Sequence, residues 1–261
     1  MIEIKMNDKV VIVTGAASGL GKAIALRFAE AGADVAVADI NIKNALKTAE
    51  EIRSMGRKAM AFQIDTSDSE AFDRLINDAT ENFGGLDFMV NCAGIGIMKP
   101  ILEFSSKEIN QLIDIDLKGT IYGCKAALAY MIPRKSGRIV NLSSIAAKMA
   151  TPASSVYAAA KAGVMALTAA LGREAAESNI NINAICPGIV RTDMWEKQLN
   201  AMAGENNAEG KAKIFESFTN MIPLKRPQEP EDIANMALFL CSDLAKNITA
   251  QSFAVDGGAT V

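Results

Sequence analysis

Short apolar runs rich in β-branched residues alternate along the chain with longer segments of helical periodicity. Lys9–Val13 predicts a strand and Leu20–Ala31 a helix. Asp34–Ala38 predicts a strand, Ile42–Met55 a helix, Lys58–Gln63 a strand and Ser69–Asn82 a helix. Leu86–Val90 reads as a strand, Ser106–Met131 as one long helix, Arg138–Leu142 as a strand and Ser155–Ser178 as a helix. Asn181–Cys186 is a strand, Pro230–Leu240 a helix and Ser252–Val255 a last strand. Such alternation with short linkers is that of βαβ units around a parallel sheet. The strand runs are apolar on both faces, as buried parallel strands are. Right-handed crossovers then put helices on both sides of the sheet. The expectation is one α/β domain over residues 1–261, doubly wound.

One stretch departs from this rhythm. Thr192 to Pro223 is rich in Met, Asn, Gly and charge, with NAMAGENNAEGKAK at its centre. A segment that long within a compact domain is usually a lid or binding loop. A lid over about 192–223, carrying a helix or two, is expected.

Composition narrows the chemistry. The 261 residues hold 27 Lys and Arg against 30 Asp and Glu, a net charge of −3, with half of the residues apolar. This balance argues against a nucleic-acid partner. No apolar run is read as reaching the ~18–20 residues of a membrane span, and Met1 to Lys9 lacks the apolar stretch of a signal peptide. Histidine is absent. That excludes Ser-His-Asp and Cys-His nucleophiles and His-based metal sites, so no metal is expected. Cys92, Cys124, Cys186 and Cys241 form no C-x-x-C pair and read as buried thiols in a reducing cytoplasm. Proton chemistry, if any, falls to Tyr, Lys, Asp, Glu, Ser or Cys.

The first strand ends in Thr14-Gly15-Ala16-Ala17-Ser18-Gly19-Leu20-Gly21, with a helix following. Such a turn brings backbone N–H groups to a pyrophosphate at the positive helix end. Gly15, Ser18, Gly19, Leu20 and Gly21 are therefore candidate cofactor contacts. Asp39 closes the second strand, where a carboxylate accepts hydrogen bonds from the adenosine ribose and repels the extra phosphate of NADP. Ala16, Ala17 and Ile40 offer no basic side chain there, so NAD is the expected cofactor. Asp65-Thr66 after the third strand and Asn91-Cys92-Ala93-Gly94 after the fourth fall at the same end of the sheet. In Asp65-Thr66 the carboxylate is placed to meet the adenine amino group.

Tyr157 and Lys161 share one helix face at i, i+4 spacing. An ammonium beside a phenol stabilises the phenolate and lowers its pKa. Such a phenol gives a proton to a carbonyl or takes one from an alcohol. Ser144, just past the fifth strand, is placed to hold the substrate oxygen. Alone, a Tyr-Lys pair one turn apart is more often a solvated face; the glycine loop, Asp39 and N-C-A-G give it context.

Together TGAASGLG, NCAG, NLSS, YAAAK, NAICPGIVRTDM and VDGG make the chain, from Lys9 to Gly258, resemble the short-chain dehydrogenase/reductase family. The resemblance implies a Rossmann-type fold, a homotetramer, and hydride transfer between C4 of nicotinamide and a carbonyl or alcohol carbon. It implies Tyr157 as general acid/base, Lys161 on the nicotinamide ribose, and Ser144 orienting the substrate oxygen. It places Pro187, Gly188, Ile189 and Thr192 along the carboxamide and pyrophosphate. One departure stands out: the family's N-L-x-G segment is here Asp116-Leu117-Lys118-Gly119. An Asp accepts hydrogen bonds but lacks the amide donor. The plainer reading is a tolerated variant; if charged and buried near Lys161, it forms an ion pair that raises the Lys pKa.

The expected pocket walls are Ile95, Gly96, Ile145, Met149, Ile189, Met194 and Trp195. The last two are open to a second reading, as core of the lid itself. Apolar walls argue against anionic sugar phosphates. PGIVRTDMW is similar to acetoin, butanediol and polyol dehydrogenases of the family, so a small diol or polyol is the expected substrate. A hydroxysteroid or 3-oxoacyl substrate is the alternative. A non-catalytic NAD-binding protein and a cofactor-retaining lyase or epimerase are more remote.

Overall fold

The computed structural model describes residues 3–260. Seven parallel strands form one sheet in the order β3-β2-β1-β4-β5-β6-β7. They are β1 Val10–Thr14, β2 Asp34–Asp39, β3 Ala59–Gln63, β4 Phe88–Asn91, β5 Gly137–Leu142, β6 Ile180–Pro187 and β7 Ser252–Val255. The helices are α1 Gly19–Glu30, α2 Ile42–Ser54, α3 Ser69–Phe83, α4 Ser106–Ile113, α5 Gly119–Met131, α6 Ser155–Glu174, α7 Asp193–Ala203, α8 Ala208–Met221 and α9 Pro230–Cys241. This is the doubly wound Rossmann-type arrangement the alternation predicts, with strand order reversing between β1 and β4.

Successive strand residues supply two cores. Val11, Val13, Val35, Val37, Phe88, Val90, Val140 and Leu142 face α1, α2 and α9. Ile12, Ala36, Ala38, Met89 and Ile139 face α3, α5 and the partly buried Leu167 and Leu171 of α6. Both faces are covered, so the strands show no polar side.

Two expectations need correction. The long helix over Ser106–Met131 is divided: Asp114–Lys118 forms a π-helical turn between α4 and α5. The apolar periodicity passes through this turn, which makes it invisible in the pattern. Such single-turn widenings occur frequently at functional sites, and this one carries Asp116. Second, α6 is, by length and composition, long and apolar enough to cross a membrane. In the fold it packs on β6 and buries Val156, Tyr157, Lys161, Val164 and Thr168. Its apolarity includes a row of alanines on the outer side, which composition alone does not distinguish from a span.

Candidate active site

The glycine loop lies between β1 and α1. Gly15 has φ +68°, and a Cβ there would meet Ala93 Cα at 2.8 Å, so the loop after β4 sits directly against it. Thr14, itself buried, binds the two loops: its hydroxyl oxygen accepts the N–H groups of Cys92 at 3.0 Å and Ala93 at 3.2 Å. Ser18 precedes α1 without a side-chain cap, leaving the first-turn N–H groups without intrahelical partners. The Cβ and methyl of Thr192 come within 3.8 Å of where a Gly19 Cβ would stand, so the start of α7 closes over this loop.

Asp39 has a second task. One carboxylate oxygen accepts the Ala17 N–H at 3.0 Å and the other accepts Asn41 N–H at 2.8 Å. The acid at the strand end thus also shapes the glycine loop. Ile40 beside it is exposed. Asp65 is exposed, and one of its oxygens accepts the Ser67 N–H and hydroxyl. Thr66 is buried against Gly119. Asn91 stands at the strand end whose backbone is expected to pass the cofactor; its side-chain amide donates to Asn141 Oδ1 at 2.8 Å, and Asn141 donates to Thr168. Its side chain belongs to a buried polar ladder across β4, β5 and α6, because the pleat at this position turns it toward α5 rather than outward to a cofactor.

On the other side of the sheet's switch point, Tyr157 and Lys161 share one face of α6, both buried. Lys161 Nζ donates to Leu142 O at 3.1 Å and lies 3.4 Å from Asp116 Oδ2. Asp116 is fully buried, and its Oδ1 accepts the Ile95 N–H at 2.7 Å. Gly94 leaves room for this pair: a Cβ there would stand 3.3 Å from both Asp116 Oδ1 and Lys161 Nζ. Ser144 accepts the N–H of Ala146 at the start of the Ile145–Ala147 turn.

The electrostatics revise one expectation. Burial raises the Tyr157 phenol above its ordinary value; Lys161 and the Ser144 hydroxyl pull it down, and Asp116 pushes it up, with burial winning. Lysine alone therefore does not bring the phenol into the working range. Burial also raises Asp116, against the opposing pull of Lys161. For Lys161, burial opposes the charge, but Asp116 foremost, with Tyr157, outweighs it and favours the ammonium. Cys92 is pushed up to about 12 by burial and stays a neutral thiol, which removes it as a nucleophile.

Ile95, Ile97 and Met98 pack with Tyr157, Val156 and Ala146. Met194 reaches over this loop, its sulfur 3.0 Å from where a Gly96 Cβ would stand. Ile189 is buried, its carbonyl accepting the Gln228 N–H, and Gly188 N–H donates to Val255 O beyond Pro187. Met149 is half exposed on the rim. Trp195 takes the second reading. Its ring meets Phe218 edge-on at 5.1 Å and Phe215 at 6.2 Å, in an aromatic cluster between α7 and α8.

A family model described as "Enoyl-(Acyl carrier protein) reductase" matches residues 15–260. The diacetyl reductase [(S)-acetoin forming] of Staphylococcus epidermidis is 39% identical over 252 residues, covering 96% of this chain and 98% of that protein. The L-2,3-butanediol dehydrogenase of Corynebacterium glutamicum is 36% identical over 259 residues, with 96% and 98% covered. The crystal structure of levodione reductase superposes with a TM-score of 0.93 at 32% identity, covering 98% of this chain and 99% of that one. The chain belongs to the short-chain dehydrogenase/reductase family.

Oxidoreductases of this family use nicotinamide cofactors. A dinucleotide fits here on two observations: the close approach of Gly15 to Ala93, which clears a backbone-lined cradle, and the uncapped start of α1. Sequence reasoning missed Thr14, which ties the glycine loop to the loop after β4. Thr14 heads the glycine motif and was legible there as a hydroxyl at a strand end.

Proposed function

We propose that the protein is an NAD-dependent dehydrogenase/reductase that interconverts a secondary alcohol and a ketone, with a small diol or hydroxyketone as substrate. The observation that carries this reading is the buried Tyr157–Lys161 pair beside Ser144, facing the glycine cradle across the switch point. In alcohol oxidation the Tyr157 phenolate accepts the hydroxyl proton; in ketone reduction the phenol returns it. Ser144 holds the reacting oxygen. Lys161 keeps its ammonium, favours the phenolate and holds the nicotinamide ribose, while Asp116 fixes Lys161 and the Ile95 backbone. A bound nicotinamide would supply hydride exchange at its C4, and the charge of its oxidised ring would act with Lys161 to offset the burial of the phenol.

NAD is favoured over NADP by the Asp39 carboxylate, tied to the glycine loop through Ala17. Gly15, Ser18, Gly19, Leu20, Gly21 and Thr192 form the pyrophosphate site, and Pro187, Gly188 and Ile189 flank the carboxamide. Residues 192–223 act as the substrate lid of a single catalytic domain. Support for the substrate class comes from the apolar wall of Ile95, Ile145 and Met194 and from the two small-substrate relatives. A homotetramer is supported by Ala159, Ala162, Ala166 and Ala170, which α6 leaves exposed in one row. The four free thiols suit a reducing cytoplasm.

Reduction of NAD and of NADP is followed at 340 nm across diols, polyols, hydroxysteroids and a 3-hydroxyacyl thioester. Turnover of a small diol with NAD, lost in Tyr157→Phe, is the expected result. NADP preference, or full activity of Tyr157→Phe, overturns the reading. Light scattering showing a monomer at micromolar concentration overturns the tetramer.

A further inference from the structure

We propose that Gln198 is a specificity-determining residue whose side-chain amide binds the second oxygen of a vicinal hydroxyketone or diol, on the carbon next to the reacting one. This rests on the alcohol/ketone reading above and names the substrate class within it. Helix α7 buries only two residues, Gln198 and Leu199. Leu199 is an ordinary packing residue. Gln198 is polar yet only 7% exposed.

Its placement points to the substrate. The amide nitrogen lies 2.8 Å from where a Gly96 Cβ would stand, beside the Met194 sulfur. Gly96 follows Ile95, whose N–H is held by Asp116, the partner of Lys161. The carboxamide therefore sits one loop residue from the catalytic floor. Its oxygen is buried and has no hydrogen-bond partner among the described residues. A buried amide oxygen without a donor is costly, and an apolar side chain of the same length would avoid that cost. Gln228 also carries an unpaired oxygen, but it is packed against Gly188 and Gly257 at the loop after β6.

The chemistry of the surrounding wall selects the ligand. Ile95, Ile145 and Met194 offer no hydrogen bond to an oxygen beyond the one that Ser144 and Tyr157 hold. A carboxamide both donates and accepts. It therefore meets a neighbouring carbonyl through its N–H and a neighbouring hydroxyl through its oxygen, serving each oxidation level of the second carbon. A site built to bond a substrate oxygen discriminates strongly against the analogue that lacks it.

The test compares kcat/KM for acetoin and for 2-butanone, which share a four-carbon skeleton and differ by the second oxygen. It is run with NADH on the wild-type enzyme, Gln198→Met and Gln198→Glu. The wild type is expected to prefer acetoin, and Gln198→Met to lower the acetoin-to-butanone ratio by about tenfold or more, mainly through KM for acetoin. Gln198→Glu, which still accepts but no longer donates, is expected to lose more with diacetyl than with 2,3-butanediol. A ratio unchanged in Gln198→Met, or a parallel loss for both ketones, assigns Gln198 a packing role and overturns the proposal. Wild-type enzyme with no preference for acetoin over 2-butanone overturns it without any variant, while leaving the dehydrogenase reading intact. Wild-type enzyme that reduces neither ketone overturns both.

Discussion

The floor of the site and its lid are built by different physics. On the floor, Lys161, Thr14 and Asp39 each tie one element to another. Lys161 of α6 holds the end of β5 through Leu142 O and the π-helical turn through Asp116. Thr14 of β1 holds the loop after β4. Asp39 of β2 holds the glycine loop. All of these rest on a sheet packed on both faces. The lid lacks such backing: α8 buries no residue fully, and α7 buries two. What joins the two lid helices is the cluster of Trp195, Phe215 and Phe218. On the proposal that residues 192–223 form a substrate lid, atoms that must not move stand on the sheet, and the lid parts from it at small cost.

This contrast is broken most sharply on the floor. Tyr157→Phe removes the only phenol beside Lys161 and leaves the ring packing in place. Loss of alcohol oxidation by a factor on the order of 10³ or more is expected, with NAD binding and Tm little changed. A loss confined to KM would mean that the phenol positions substrate without moving its proton.

The next largest effect concerns Asp39. Asp39→Asn keeps an oxygen for the Ala17 N–H while removing the charge. The preference for NAD over NADP is expected to fall by about ten- to a hundredfold, chiefly through tighter NADP binding, since one repulsive charge is worth roughly 1–3 kcal/mol at such a site. Titration of both cofactors by fluorescence checks this. An unchanged preference would leave Asp39 as a shaper of the loop only.

The lid should respond differently from the floor. Trp195→Ala takes away two edge-on aromatic contacts, each worth about 0.5–1.5 kcal/mol beyond the area they bury. Because these contacts join α7 to α8 and not the lid to the sheet, KM is expected to rise by about tenfold with kcat nearly kept and Tm lowered by only a few degrees. A fall in Tm above about 10 °C would show that the lid is part of the core, and the contrast would fail.

Legibility in the sequence divides along the same line. The strands and helices of the floor were readable because burial on both faces leaves a long apolar run, and crossover helices leave a 3.6-residue period. The glycine loop was readable because Gly15 has no alternative against Ala93. Two features of the floor escaped. The π-helical turn leaves the periodicity intact, and the amide ladder from Asn91 through Asn141 to Thr168 spans three elements that no local pattern connects. In the lid, only the existence of an insertion with helical content was legible. The direction of Trp195 depends on which helix it meets, and the depth of Gln198 depends on the loop beneath it, and neither leaves a trace in local composition.

The smallest expected effect tests how finely the floor is tuned. Asp116 departs from the asparagine that the resemblance implies at this position, and it raises the phenol by its charge while it holds Lys161. Alcohol oxidation needs the phenolate, so its rate rises with pH through the phenol's pKa. Asp116→Asn removes a negative charge, keeps an oxygen for the Ile95 N–H, and lets the protonated Lys161 act unopposed on the phenol. The acid limb of the oxidation profile should therefore move to lower pH, by less than one unit, with turnover changed less than tenfold. The same substitution weakens the hold on the lysine proton. A limb displaced to higher pH would therefore mean that Lys161 has lost its charge, and that Asp116 serves by keeping the ammonium protonated. A hundredfold gain in turnover would make the ion pair an impairing feature of this site, one that traps the lysine away from the phenol.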